Sequence, residues 1–441
     1  MRRRRGPALF AVLLAAYAAT LALPGRHAGD RSAREARILL VAVSLQRDGD
    51  LAVADQYRDR TAARFHAGPL RPAGPPHLGR LLEPVDLALP ALAAPLLGLD
   101  GVALVSLLCA GAMALAMTLA AGIARRVVPD PWATGAALAV GLSPPVLAAA
   151  GAVGPEPLGA ALLAGAALCA LRVREADPHP PLRLALAAAI QLALLPWFSA
   201  ELSPAGIVVA AALVRWMLRR GRGLHAIVAA ETVVFSAVAY ASVNERLFGG
   251  LLPQVAAAGP ATGATGLAQH LERAGRLATL WVDTSFGLLA WAPVLVLALH
   301  ALLLLRRSRR ERLAMALPDV RAAEIAVTLC ALACGAQILV AVFLVRSLKG
   351  GWFPGLHVVG VLPLAVPLCA WSLRRAPRIG GALVALTLLL SAWLVVAVAT
   401  GASGLAPPSR PGWMGASCVG LALVGLGALG AGGVRLVRGA Y

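Results

Sequence analysis

Residues 102–123 read VALVSLLCAGAMALAMTLAAGI, twenty-two residues without one charged side chain. At about 1.5 Å rise per residue such a helix is ~33 Å long, enough for a hydrocarbon core of about 30 Å. This stretch therefore reads as a transmembrane helix. Working outward from it, comparable apolar runs lie near residues 7–23, 132–150, 157–173, 182–200, 203–219, 224–243, 285–305, 322–345, 354–373, 379–400 and 413–434. The expected fold is an all-α polytopic membrane protein of about twelve spans, forming a single transmembrane domain over residues 1–441. The apolar segment 87–99 is too short to count as a span.

The composition agrees. Hydrophobic residues make up 59% of the 441-residue chain and charged residues 14%, and the mean hydropathy is +0.77. A soluble enzyme carries about a quarter charged residues and is excluded. The formal charge of +19 would suggest nucleic acid on a soluble chain. Here the positive residues fall between apolar runs, so they act as topological anchors and no nucleic-acid partner is expected. Lys349 is the only lysine, which with the alanine content points to a GC-rich bacterial genome. A multi-pass bacterial inner-membrane location follows as the expectation.

Cytoplasmic loops retain arginine and lysine. With the N-terminus inside, 24 of the 40 basic residues fall on the cytoplasmic side, including Arg2 to Arg5, Arg125, Arg126, Arg306, Arg307, Arg374 and Arg375. Only 6 fall on short outer loops, the rest being in one long loop that the rule does not bind. This distribution predicts that the N- and C-termini are both cytoplasmic.

Two outer loops stand out. Loop 24–101 contains Asp30, Glu35, Asp48, Asp50, Asp55, Asp59, Glu83 and Asp86, and is too long for a plain connector. Within it, Ser32 and Glu35 have the spacing of a capping box, and Ile38, Val41, Ala42 and Leu45 follow at helical intervals. This predicts an amphipathic helix lying on the membrane surface. Loop 244–284 is expected to end in a second interfacial helix through Leu271, Leu277 and Trp281.

The text of the first loop carries a resemblance. Leu39-Leu40-Val41-Ala42-Val43-Ser44-Leu45-Gln46-Arg47-Asp48-Gly49-Asp50-Leu51, followed by Asp55-Gln56-Tyr57, resembles the first loop of GT-C superfamily glycosyltransferases. The branch is that of protein O-mannosyltransferase and aminoarabinose-transferase-like enzymes. Further pieces are similar and in the same order: Leu142 to Pro145, Gly154-Pro155-Glu156, Leu195-Pro196-Trp197, Phe286 to Leu289, Gly350-Gly351-Trp352 and Val361 to Leu364. Together they cover roughly residues 7–373.

The resemblance implies transfer of a sugar from a polyprenyl-phosphate donor to a glycan, lipid or protein acceptor at the outer face, among membrane lipids. Such transfer needs a carboxylate near the acceptor hydroxyl and cations to offset the departing phosphate. Asp30 is the candidate base. Glu35 is the second catalytic candidate, because an ungapped match places Arg34 and Glu35 on the family's Asp-Glu pair. Arg31, Arg37, Glu156, Glu201, Arg346, Lys349 and His357 are the candidate donor and substrate contacts. Family positions before span two read here Glu83-Pro84-Val85-Asp86, and those after Leu-Pro-Trp read Ser199-Ala200-Glu201.

Two other readings remain open at this stage. One is a catalytically degenerate GT-C relative serving as a binding or assembly subunit. The other is a twelve-span secondary transporter, for which Glu231, about eight residues into its span, would be the coupling acid. No cofactor motif, metal-ligand spacing or disulfide framework is readable, and the six cysteines all lie in apolar segments. The requirement for a divalent metal is not legible in the sequence.

Overall fold

The structure is a computed structural model, and it describes residues 5–23, 31–175, 182–253, 267–315, 318–345, 348, 355–400 and 412–438. In chain order the helices are α1 (Arg5–Leu21), α2 (Ala33–Arg47), α3 (Ala54–Arg58), α4 (Ala88–Asp100), α5 (Val102–Ala124), α6 (Trp132–Gly141), α7 (Pro144–Gly151) and α8 (Glu156–Glu175). They continue as α9 (Leu182–Phe198), α10 (Ser203–Arg219), α11 (Gly223–Phe248), α12 (Leu267–Val282), α13 (Leu288–Trp291) and α14 (Val296–Met315). The last are α15 (Pro318–Leu339), α16 (Leu356–Val359), α17 (Leu362–Arg375), α18 (Pro377–Ala399) and α19 (Gly412–Arg438). Among the described residues there is no strand, only two isolated β-bridges, Ala52 with Leu82 and His77 with Arg80.

Among the described residues seven helices are long and apolar enough to cross a membrane, or eight if the bent pair α6–α7 is one span. The bend of 64° follows from Ser143-Pro144-Pro145, since proline removes a donor and can only start a helix. Three more of the expected segments are shorter or interrupted for the same kind of reason. Pro293 splits residues 285–305 into α13, a 3₁₀ turn over Pro293–Leu295 and α14. Pro363 starts α17 separately from α16. The run near 182–200 closes as α9 at Phe198, two residues after Pro196.

Small residues set the packing. Helices α5, α8, α9, α10 and α17 enclose a core rich in fully buried alanine, including Ala114, Ala121, Ala160, Ala164, Ala167 and Ala370. Such side chains let helix backbones approach where lipid offers no hydrophobic gradient between helices. At the end of the bundle that carries residues 31–100, Leu202 is wedged between Gly159 and Gly360. A Cβ on either glycine would come within 2.7 Å of its methyl group. That wedge fixes the 3₁₀ turn Ala200–Leu202, and with it Glu201, against α8 and α16.

The α2 helix departs from the expected surface helix. Residues 38–44 are buried without interruption, as are Glu35 and Ala36, so no single apolar stripe is left for a membrane surface. The reason lies in the chain that follows. Phe65, Leu70, Val85 and Leu89 pack on one side of α2, while Val53, Ala62 and Leu81 pack on another. α4, the short apolar segment, lies along α2 as part of this cover. The capping box at Ser32 and Glu35 forms as read, with both reciprocal hydrogen bonds present.

Candidate functional site

The residues that converge on this end of the bundle come from seven separate segments. From α2, Arg34 Nη1 lies 2.5 Å from Glu156 Oε1 at the start of α8. Asp86, just before α4, accepts from Tyr240 Oη of α11 at 2.8 Å and from the Ala200 N–H at 3.3 Å. The neighbouring Glu201 pairs with His357 of α16, Nδ1 to Oε2 at 3.1 Å. Gln337 of α15 donates to the His357 carbonyl at 2.7 Å, holding the α16 turn in place. The Arg34 guanidinium also interacts electrostatically with Glu201 and Asp86, so an arginine, a histidine, three acids and a tyrosine form one network.

Electrostatics distinguishes its members. Burial works against the Arg34 charge, but Glu156, Glu201 and Asp86 outweigh it and keep this cation protonated. Burial pushes the Asp86 carboxyl up to about 7. The Tyr240 and Ala200 hydrogen bonds oppose that shift, Glu201 adds to it, and Arg34 opposes it. A carboxyl poised there can release or accept a proton near neutral pH.

Two further clusters flank this network. Glu35 Oε1 accepts from the Ser32 N–H and hydroxyl, while Oε2 accepts from the Val153 N–H at 2.9 Å and meets Arg31 Nη1 at 3.4 Å. The Arg31 guanidinium also reaches Ser106 Oγ at 3.4 Å. The turn over residues 152–155 therefore joins Glu35, through Val153, to Glu156. On the other side Arg37 Nε lies 3.5 Å from Glu83 Oε2, and Arg37 Nη2 donates to the Arg71 carbonyl. Glu83 also accepts from the Tyr57 hydroxyl. Burial raises Glu83 above the usual carboxylate range, against the pull of Tyr57, Arg37 and the Ala73 N–H.

Solved structures supply a match at this point. The apo crystal structure of ArnT from Cupriavidus metallidurans superposes at a TM-score of 0.50 with 14% identity, covering 97% of this chain and 78% of ArnT. The crystal structure of the same protein bound to undecaprenyl phosphate gives 0.49 with 14% identity, covering 96% and 76%. The chain has an ArnT-like fold. That agrees with the GT-C resemblance read from the first loop, and at this identity the likeness is one of fold. No protein-family profile matches the sequence, and no curated protein matches it.

Within the ArnT-like fold the sequence-predicted residues sort into three groups. Glu156, Glu201 and His357 share the central network. Arg31 with Glu35, and Arg37 with Glu83, form the flanking clusters. Asp30, Arg346 and Lys349 lie outside the described residues. Among the described residues no three His, Cys, Asp or Glu side chains converge to hold a metal ion. Arg34, Asp86 and Tyr240 are not among the site residues that the sequence predicts. Asp86 had one legible signal, its place in the Glu83-Pro84-Val85-Asp86 segment just before span two. Tyr240 had none, because its partner is 154 residues away.

Proposed function

We propose that the chain is a membrane glycosyltransferase of GT-C type, transferring a sugar from a polyprenyl-phosphate donor to an acceptor at the outer face. In this reading the bundle has twelve spans with both ends cytoplasmic, and residues 24–101 and 244–284 are outer loops. The observation that supports it most is the mixed-charge network of Arg34, Glu156, Asp86, Glu201 and His357 beneath the first loop of an ArnT-like bundle. Arginine suits a donor phosphate because its guanidinium stays charged and binds oxygens in pairs. A carboxylate suits the acceptor hydroxyl as proton acceptor. Asp30 retains that role in this proposal, next to Arg31, whose side chain is tied to Ser106 and Glu35. Arg37, Arg346 and Lys349 are proposed as further phosphate contacts. The donor class agrees with the undecaprenyl phosphate found on ArnT.

The degenerate-subunit reading has its own observation. Glu35 has every described acceptor position filled by Ser32, Val153 and Arg31, as a structural carboxylate would. One experiment separates the two. Purified chain in lipid is supplied with a polyprenyl-phosphate sugar, and transfer and thermal stability are measured for Asp30→Asn and for Ser32→Ala. Loss of the cap costs about 0.5–2 kcal/mol of stability in either reading. A transferase loses turnover in Asp30→Asn at parental stability. Turnover that tracks stability in both variants, or no turnover in the parent, overturns the assignment.

A further inference from the structure

We infer that α11 is a self-association surface, on which a second copy of this chain packs in parallel with the two Glu231 carboxyls facing each other. The inference does not depend on the proposed activity. It starts from the two faces of α11. Toward the bundle Ser236, Tyr240 and Asn244 each have a partner. Ser236 accepts from Trp197 Nε1 at 2.9 Å and donates to the Ala193 carbonyl, Tyr240 donates to Asp86, and Asn244 donates to the Leu251 carbonyl.

Glu231 lies nine residues before Tyr240, which at 100° per residue places it on the opposite face. It is exposed and makes no hydrogen bond or ion pair among the described residues. Around it the surface is apolar, with Val234 60%, Phe235 76% and Val238 59% exposed.

Depth makes this costly. Glu231 is about 12 Å, more than two turns, from the Gly223 end of a 26-residue helix long and apolar enough to cross a membrane. An acid facing lipid there has no donor or acceptor to meet, and acids that serve a transport path face the bundle interior instead. The exposed positions Leu224, Val228, Glu231, Phe235 and Val238 advance by four, three, four and three residues. That is the seam spacing of two helices winding about each other.

A second copy supplies the missing partner by symmetry. A two-fold axis along the membrane normal sets each residue opposite its twin at the same depth. Two carboxyls at the same depth can hydrogen-bond to each other across the axis, and one polar residue in such a seam sets register. A helix of another protein would need its own polar group at this depth, which the symmetric pair has by construction.

The test counts subunits. Full-length chain carrying one fluorophore is reconstituted into phospholipid vesicles over a range of protein-to-lipid ratios, and copies are counted by single-molecule photobleaching. Wild type is expected to be dimeric at ratios where Glu231→Leu is monomeric, with the dissociation constant raised about tenfold or more. Glu231→Gln keeps donor and acceptor and should remain dimeric. Val238→Cys, in the seam, should cross-link to its twin, while Ala237→Cys, exposed on a different face of α11, should not. Both Glu231 variants are checked for a single thermal transition, and the Val238→Cys cross-link carries the test if Glu231→Leu fails to fold. Monomers at every ratio, dimers equally strong in Glu231→Leu, or cross-linking through Ala237→Cys in place of Val238→Cys would each overturn the inference.

Discussion

α2 and α12 are both short helices that interleave arginine and glutamate with leucine, yet they occupy opposite situations. α2 is enclosed, and Arg34, Glu35 and Arg37 are each paired with groups from other segments. α12 leaves Leu271 65% and Leu277 47% exposed, and its arginines donate to carbonyl oxygens, Arg273 to that of Phe343 and Arg276 to that of Val345. The difference comes from the neighbouring chain. Residues 48–100 fold back over α2 and bring acids and apolar side chains to it, whereas α12 keeps an open apolar face of the kind that lies in a membrane interface. An enclosed charged helix can build a site; an open one can anchor.

The largest effects expected from this contrast come from paired leucine truncations. Leu39→Ala, fully buried in α2, should lower stability by about 2–5 kcal/mol. Leu271→Ala in α12 should stay within about 0.5 kcal/mol. Equal shifts in thermal melting of the two variants in detergent would break the comparison.

A charge deletion sharpens it further. Arg37→Met leaves Glu83, whose side chain is fully buried, with Tyr57 and the Ala73 N–H as its remaining partners. Removing one member of a buried pair costs about 3–5 kcal/mol. Arg37 is 27% exposed and Glu83 can take up a proton, so a loss of about 2 kcal/mol is expected. Arg58→Met, which breaks the exposed pair with Asp55, should cost well under that, read by the same melting experiment.

The last effect is read as a slope against pH. Asp86 has its carboxyl raised to about 7 in the folded chain, and Glu83 is raised as well. Between pH 4 and 7 the folded state therefore holds protons that the unfolded state has released, so stability falls as pH rises through that window. The slope is at most about 1.4 kcal/mol per pH unit for each such proton. Asp86→Asn should flatten the curve over this range and leave it unchanged above pH 8. A wild-type curve that rises from pH 4 to 7 with the same form as Asp86→Asn would show that α2's surroundings do not bury Asp86.

Much of the fold was legible because membrane spanning is written locally. An apolar run of fixed length closes its own backbone hydrogen bonds, and seven of the expected segments are long apolar helices in the structure. The capping box at Ser32 was legible for the same reason, since its two partners are three residues apart. The bend at Ser143-Pro144-Pro145 followed from proline chemistry alone. The candidate site was legible only as a set of residue types. Glu156, Glu201 and His357 could be named one by one, but their meeting with Arg34, Asp86 and Tyr240 joins contacts separated by more than a hundred residues. Whether α2 lies open or enclosed, and whether Glu231 looks into the bundle or away from it, depends on which other segments fold against each face. Periodicity within one helix shows that a face exists, and only tertiary packing decides what covers it.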